Sequence, residues 1–200
     1  MNRFFVLIIL LFLGFVGFIS YKYYLVLKEN ENLKEILKDL GELAGIDNYG
    51  SLHLHADIKI FINGKELIIY RPENFEKNKF VHFHETTDPS KPNENVIHIH
   101  AKGITLKQFL NTLNIKLNNN CLTVDNVNYC NNEENQLKVY VNNKKLDDYE
   151  NYVIKDLDRI LISYGPDDKN RINEELNKVG NYSKLHSSKF NFECNEELGC

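Results

Sequence analysis

The pattern His-x-His occurs three times between residues 53 and 100, and it constrains the fold more than any other feature of the sequence. Six of the seven histidines belong to these pairs, which are His53 and His55, His82 and His84, and His98 and His100. Each pair lies in a run that alternates apolar and polar residues, as in a β-strand with one face toward a core. Residues two apart point to the same side of a strand, about 6.5 to 7 Å apart. We therefore predict three strands that each present two imidazoles on one face.

The alternation also predicts which face carries the histidines. In the first run Leu54 and Ile58 share one parity, whereas His53, His55 and Asp57 share the other. The other two runs follow the same rule, with aliphatic or aromatic residues alternating with the histidines. Because a strand turns alternate residues to opposite faces, the histidines lie opposite the core. If the strands are neighbours, six imidazoles gather on one polar surface.

The N-terminus predicts a membrane anchor. An apolar run without a charged residue extends from Phe4 to Ile19, and tyrosines follow it. This length approaches the requirement for crossing a hydrocarbon core of about 30 Å, and tyrosines suit the membrane interface. We predict a single-pass transmembrane anchor over residues 1–27. A cleaved signal peptide is the alternative, although no small-x-small cleavage site follows the run.

Residues 28–50 are predicted to form a stalk helix and a linker. Apolar residues recur there at spacings of three and four, namely Leu33, Ile36, Leu37, Leu40, Leu43 and Ala44. This is the pattern of an amphipathic helix. The apolar stripe either packs on its own domain or forms a short coil that makes a homodimer through the stalk.

Local signals in the rest of the chain predict strands and helices in a mixed order. Asn63-Gly64 indicates a hairpin, and Thr105 can cap a helix over residues 106–113. Residues 142–152 are predicted as loop and turn, residues 159–164 as the last strand, and residues 169–179 as a terminal helix. From Gly180 onward the pattern is weak and predicts a tail.

These elements predict an α+β domain over residues 51–166. It contains a mixed or antiparallel sheet with one central helix packed on the apolar face. Residues 167–200 then form a terminal helix and a cysteine-containing tail. With a formal net charge of −4 and no separate cluster of Lys and Arg, nucleic-acid binding is not expected.

Four cysteines indicate disulfides rather than a thiol redox centre, because no C-x-x-C pair is present. Cys121 and Cys130 lie at the open end of a predicted hairpin, where cross-strand distances suit a bridge. Cys194 and Cys200 are candidates for a second bridge. Lysines on both sides of the anchor leave its orientation ambiguous, and the disulfides favour an oxidising compartment. We therefore expect the globular part outside the cytoplasm, at the cell membrane.

The histidine pairs predict a transition-metal site. Two imidazoles from one strand and one or two from another can surround an ion at about 2.0 to 2.1 Å, as zinc requires. Zinc or copper is expected first, although Cu(I) is less favoured without sulfur ligands. The expected ligand set is His53, His55, His82, His84, His98, His100 and Asp57. Asp57 either binds the ion or holds an imidazole tautomer.

Two nearby candidates rank lower. Glu85 is out of phase with His82 and His84, so it ranks below Asp57. His186 stands apart from the pairs and is interpreted as a solvated residue. A metal-free histidine cluster that responds to pH, or a site for an anion or peptide, is the alternative to a metal site.

In this order, the sequence resembles a family of prokaryotic proteins with an N-terminal membrane anchor and an extracytoplasmic histidine-rich domain. The matching stretches cover most of residues 51–179 and are His53 to Asp57, Phe61 to Gly64, His82 to His84, Val96 to Leu106 with Phe109, Cys121 to Thr123, Tyr129-Cys130, Val139 to Asn142, and Asp156 to Gly165. The resemblance implies a location and no reaction. The last stretch, reached through Asp156-Leu157-Asp158, is also similar to the end of a β-grasp-type domain.

Three functions therefore compete. The first is a membrane-tethered module that captures or presents a transition metal outside the cytoplasm. The second is a metal-dependent, hydrolase-like enzyme, with Asp57, Glu85 or an unligated histidine as general base. No recognised hydrolase motif such as H-E-x-x-H or G-x-S-x-G supports it. The third is a metal-free surface interaction module.

Overall fold

The computed structural model describes residues 3–69, 78–83 and 95–187. The chain divides into two compact units, Met1–Gly45 and Ile46–Cys200. The described residues contain four helices, which are α1 (Arg3–Ala44), α2 (Leu106–Thr112), α3 (Lys169–Lys178) and α4 (Ser183–Ser187). They also contain ten strands, which are β1 (Leu54–Ile62), β2 (Lys65–Glu66), β3 (Val81–Phe83), β4 (Val96–Ile99), β5 (Lys116–Leu117), β6 (Cys121–Val124), β7 (Val127–Cys130), β8 (Gln136–Val141), β9 (Lys144–Leu146) and β10 (Arg159–Gly165).

The first unit is the single helix α1. Its 42 residues continue without a break through both the predicted anchor and the predicted stalk. None of its residues is buried, and its apolar part is long enough to cross a membrane. At about 1.5 Å per residue the helix is roughly 60 Å long, twice the thickness of a hydrocarbon core. A membrane-spanning segment therefore accounts for only about half of it.

The second unit is built on a mixed sheet. Its strands follow the order β3-β4-β1-β10-β8-β9, and β2 also pairs with β1. β1 and β10 are parallel, and the other described neighbours are antiparallel. This confirms the predicted α+β class. The central parallel pair agrees with a β-grasp-like domain, which stays a prediction.

One face of the sheet packs against α2 and forms the main core. Ile58, Ile97, Phe83 and Phe109 are almost completely buried there. Thr105 caps α2, because its Oγ1 accepts a hydrogen bond from the Gln108 backbone at 3.2 Å while the Gln108 side chain accepts one from the Thr105 backbone at 2.8 Å. This reciprocal arrangement fixes the start of the helix. The predicted central helix is therefore confirmed on the predicted face.

Two Asn-containing turns set up hairpins. Asn63 and Gly64 have φ of 51° and 77° and connect β1 to β2, as predicted, although β2 is only two residues long. Asn142 and Asn143 have φ of 50° and 66° and connect β8 to β9. Asn tolerates this left-handed conformation better than most residues. The expectation that residues 142–152 are only loop and turn was wrong at β9.

The opposite face of the sheet is covered as well. α3 begins one residue after Asp168, whose side chain accepts hydrogen bonds from the Asn170 and Arg171 backbones. The α3 segment packs over Phe61 and Leu161, and α4 lies against β1. The prediction of α3 is confirmed to within one residue at its C-terminal end. The weak pattern after Gly180 hid α4, so the predicted tail was wrong over these residues.

A smaller three-stranded sheet joins β5, β6 and β7 in that order. Cys121 and Cys130 are directly opposite in its β6-β7 hairpin, and a disulfide links them. This confirms the predicted bridge. Cys194 and Cys200 lie outside the described residues, as do His84 and Glu85.

Candidate metal centre

Three histidines form one row across three neighbouring strands. On the antiparallel pair β1 and β4, His55 lies directly opposite His98. On the pair β4 and β3, His98 lies directly opposite His82. Directly opposed residues have Cβ atoms about 4.5 to 5.5 Å apart, so their rings meet on the same face. The register therefore places His98 between two other imidazoles.

His53 and His100 complete the cluster at the ends of β1 and β4. The ring centroid of His98 lies 4.6 Å from His53, 4.7 Å from His55, 4.9 Å from His82 and 4.2 Å from His100. Five of the six predicted histidine ligands thus form one cluster, with the ring of His98 at its centre. We refer to these five residues as the histidine cluster.

The cluster contains two groups that could hold a metal ion. The first is His53, His55 and His98, and the second is His82, His98 and His100. Within each group the candidate ligand nitrogens lie within 4.8 Å of one another. Two nitrogens bound to one tetrahedral zinc are roughly 3.3 Å apart, given Zn–N distances of about 2.0 to 2.1 Å. Side-chain movements that bring the nitrogens about 1 to 1.5 Å closer together therefore suffice for them to surround an ion.

A hydrogen bond joins two rings of the first group. His98 Nε2 and His53 Nε2 are 2.7 Å apart. Since a neutral imidazole has one N–H and one acceptor nitrogen, one ring donates to the other. A metal ion placed between these nitrogens would replace the shared proton. The two rings are therefore already directed at a common point.

His82 is oriented by a backbone group. Its Nδ1 lies 3.1 Å from the Asn78 carbonyl oxygen. A carbonyl can only accept, so Nδ1–H donates and Nε2 keeps its lone pair. Metal-binding histidines are commonly held in this way through their second nitrogen.

Burial favours the neutral form of His98 and His100. His55, His98 and His100 are 2%, 5% and 2% exposed, whereas His53 and His82 are half-buried. Burial, reinforced by the neighbouring His100 and other histidines, lowers the pKa of His98. Burial also lowers the pKa of His100 to about 4, with further contributions from His82 and His53. Neutral imidazole is the form that binds metals.

One buried nitrogen gives independent support for a ligand. Among the described residues, no hydrogen-bond partner reaches His100 Nε2. A buried polar atom without a partner costs roughly 1 to 3 kcal/mol, so native structures rarely leave one. A metal ion bound by the second group would satisfy this nitrogen, whereas an ion bound only by the first group would not.

Asp57 is not part of either group. Its Oδ1 accepts a hydrogen bond from the Tyr182 backbone at 2.9 Å, and its Oδ2 accepts one from the Ser183 hydroxyl at 2.5 Å. The Ser183 backbone N–H also lies 3.2 and 3.3 Å from the two oxygens. These contacts do not support the expectation that Asp57 binds the ion or holds an imidazole. The alternation placed Asp57 on the same face as the histidines, but it did not reveal that α4 packs there. Asp57 instead fixes the start of α4.

The sequence did not indicate that His186 lies near the histidine cluster. We interpreted it as solvated, but it is half-buried and its ring centroid lies 5.9 Å from that of His55. α4 carries it there. In the sequence, only its residue type could have signalled this position, since a five-residue helix has no periodic pattern.

The arrangement can hold a transition metal through nitrogen ligands alone. A group of three histidines leaves a fourth position for water or for another protein ligand. In comparisons with known proteins, no family model, no curated protein and no solved structure matched the chain.

Proposed function

We propose that this protein is a membrane-tethered domain that captures or presents a transition metal outside the cytoplasm. The observation that carries the proposal is the position of His98, whose ring lies within 5 Å of four other imidazoles from two neighbouring strands and their ends. A structural role alone does not require five histidines in contact on one face of the sheet, three of them buried. Buried polar residues usually reach the interior only when a partner compensates them.

Zinc and copper are the metals that the donor set suits best. The ligands are imidazoles, which favour zinc, copper and nickel over hard cations such as magnesium. The described cluster contains no thiolate or thioether, which disfavours Cu(I). Three histidines and one further ligand are a common tetrahedral ligand set for zinc.

The location outside the cytoplasm has two supports. α1 is long and apolar enough to cross a membrane, and the Cys121–Cys130 disulfide is typical of oxidising compartments. The resemblance to anchored, histidine-rich extracytoplasmic proteins leads to the same expectation. Recovery of the protein in membranes, with the disulfide intact and the domain accessible to protease only from outside, is the expected result.

The test is the metal content of the full chain, purified in detergent without a His tag. We expect stoichiometric zinc or copper by elemental analysis in the wild type. Combined replacement of His53, His82 and His98 by Ala should remove the metal, because it takes ligands from both groups. Lys102→Ala is the control, since Lys102 is exposed two residues after His100.

Each outcome separates the competing functions. A wild-type chain that binds no added zinc or copper contradicts the proposal and favours a metal-free interaction module. Unchanged metal in a folded triple variant also contradicts it. An ion with a bound, exchangeable water would instead favour the hydrolase-like enzyme.

A further inference from the structure

The inference concerns α4 and rests on the proposed function. We propose that His186 is the fourth ligand of the first group, so that metal binding by His53, His55 and His98 fastens the C-terminal helix over the sheet. The site would then be a closed one with four nitrogen ligands. The ion would report its presence through the position of α4.

The ring spacings support this assignment. When two imidazoles bind one tetrahedral zinc, their ring centroids lie roughly 5.2 Å apart, as follows from Zn–N distances of about 2.0 to 2.1 Å. The first group has centroid distances of 5.0, 4.6 and 4.7 Å. His186 lies 5.9 Å from His55, which is within 1 Å of the tetrahedral value, but its nitrogens are not among those that lie within 4.8 Å of one another in the first group. Its side chain would therefore have to move toward His53 and His98 when the ion binds.

α4 is held in place by groups outside the histidine cluster. The buried carboxylate of Asp57 accepts hydrogen bonds from both Tyr182 and Ser183, which lie 125 and 126 residues away along the chain. The Arg159 guanidinium donates to the carbonyl oxygens of Val179 at 2.7 Å and Gly180 at 3.0 Å. These hydrogen bonds fix the start of α4 and the segment before it, and they thereby position His186.

Gly180 allows the chain to turn tightly between α3 and α4. A Cβ at this position would lie 2.4 Å from the Tyr182 ring, closer than real Cβ contacts. The chain between α3 and α4 thus turns in a space that only glycine fits without displacing Tyr182. The turn brings α4 back onto β1, where Asp57 receives it.

A fourth protein ligand decides between two kinds of metal site. With His186 bound, no position is left for water, as in zinc sites whose four ligands all come from the protein. With three histidines only, water completes the shell and hydrolysis becomes chemically accessible. The proposal therefore narrows the function to binding and transfer.

The test uses the full chain in detergent and added Zn²⁺ as the probe. X-ray absorption should count four nitrogen ligands in the wild type, and three nitrogens plus one oxygen in His186→Ala. Loss of one ligand should weaken Zn²⁺ binding by about 10- to 100-fold in competition with a chromogenic chelator. Lys184→Ala, an exposed neighbour in α4, should match the wild type in both measurements.

Hydrogen exchange provides a second readout. Zn²⁺ should slow exchange of the α4 backbone amides in the wild type and in Lys184→Ala, but not in His186→Ala. His186→Gln keeps more of the packing and replaces the alanine variant if that variant fails to fold.

The failures are distinguishable. If His186→Ala and the wild type bind Zn²⁺ with the same affinity and ligand count, His186 is not a ligand and the proposed function stands. If the wild type binds no Zn²⁺ or copper, both proposals are wrong. Metal-dependent protection of α4 that persists in His186→Ala also overturns the inference.

Discussion

His98 contributes to both metal-capable groups, whereas His53 and His82 each belong to one. Single substitutions at these residues can therefore identify which group holds the ion. A neutral imidazole offers one lone pair, so His98 cannot serve two ions without losing a second proton. One ion per chain is the simplest occupancy.

We expect His98→Ala and His53→Ala each to weaken zinc binding by about 10-fold or more, and His82→Ala to leave it unchanged. The reason is that the first group, with His186 as its proposed fourth ligand, would offer four imidazoles to one ion. Affinities measured against a chelator at fixed pH check this. An equal loss in His82→Ala would instead show that the second group binds the ion.

At the scale of elements, Asp57 and α4 form the contact that the site depends on. Asp57→Asn keeps the size of the side chain but turns an N–H donor toward the backbone N–H groups that Asp57 now accepts from. We expect the free energy of unfolding to fall by about 1.5 to 3 kcal/mol, the usual worth of hydrogen bonds to a charged group. Urea denaturation of the metal-free chain measures it.

The exposed Asp147→Asn is the control for this change. Hydrogen exchange in α4 should rise in Asp57→Asn and stay as in wild type in the control. Loss of the ion with α4 still protected would show that Asp57 is a ligand after all.

The sequence predicted the helices and strands that are specified by nearby residues, such as caps and turns. Thr105 predicted the start of α2, Asn63-Gly64 predicted the first hairpin, and the His-x-His alternation predicted the face that carries the histidines. α4 could not be predicted in this way, because its position depends on Asp57, 126 residues from Ser183. For the same reason the alternation indicated which face carries the histidines but not that another layer buries it.

At the scale of the whole molecule, both faces of the main sheet are buried, one under α2 and the other under the α3 and α4 segments. Burial of the His98 and His100 imidazoles couples folding to pH. In the unfolded chain a histidine has a pKa near 6.5, whereas burial holds that of His100 at about 4. Below 6.5 the unfolded chain therefore binds protons that the folded chain does not.

We expect the metal-free chain to have its full stability above pH 6.5 and to lose it as the pH falls toward 4. The contribution of His100 over this window is at most about 3 kcal/mol, at roughly 1.4 kcal/mol per unit of pKa difference, and solvent screening makes it smaller. Urea denaturation of chelator-treated protein at several pH values measures the slope. His100→Gln should reduce the slope but not abolish it, because the pKa of His98 is lowered as well, and a wild-type curve that is already flat across the window would contradict the prediction.

The apolar stripe of the stalk bears on whether the chain forms a homodimer. Leu33, Leu37 and Leu40 are 52%, 59% and 56% exposed on α1. The homodimer through this stripe stays a prediction, and light scattering of the detergent-solubilised chain can decide it.

The shared position of His98 also bears on how quickly an ion could move. An ion that moves from His53 and His55 to His82 and His100 would keep His98 as a residue common to both groups. It would stay among imidazoles a few ångströms apart throughout the exchange. Tight retention and rapid delivery to an acceptor, which usually oppose each other, would then be compatible in one small domain.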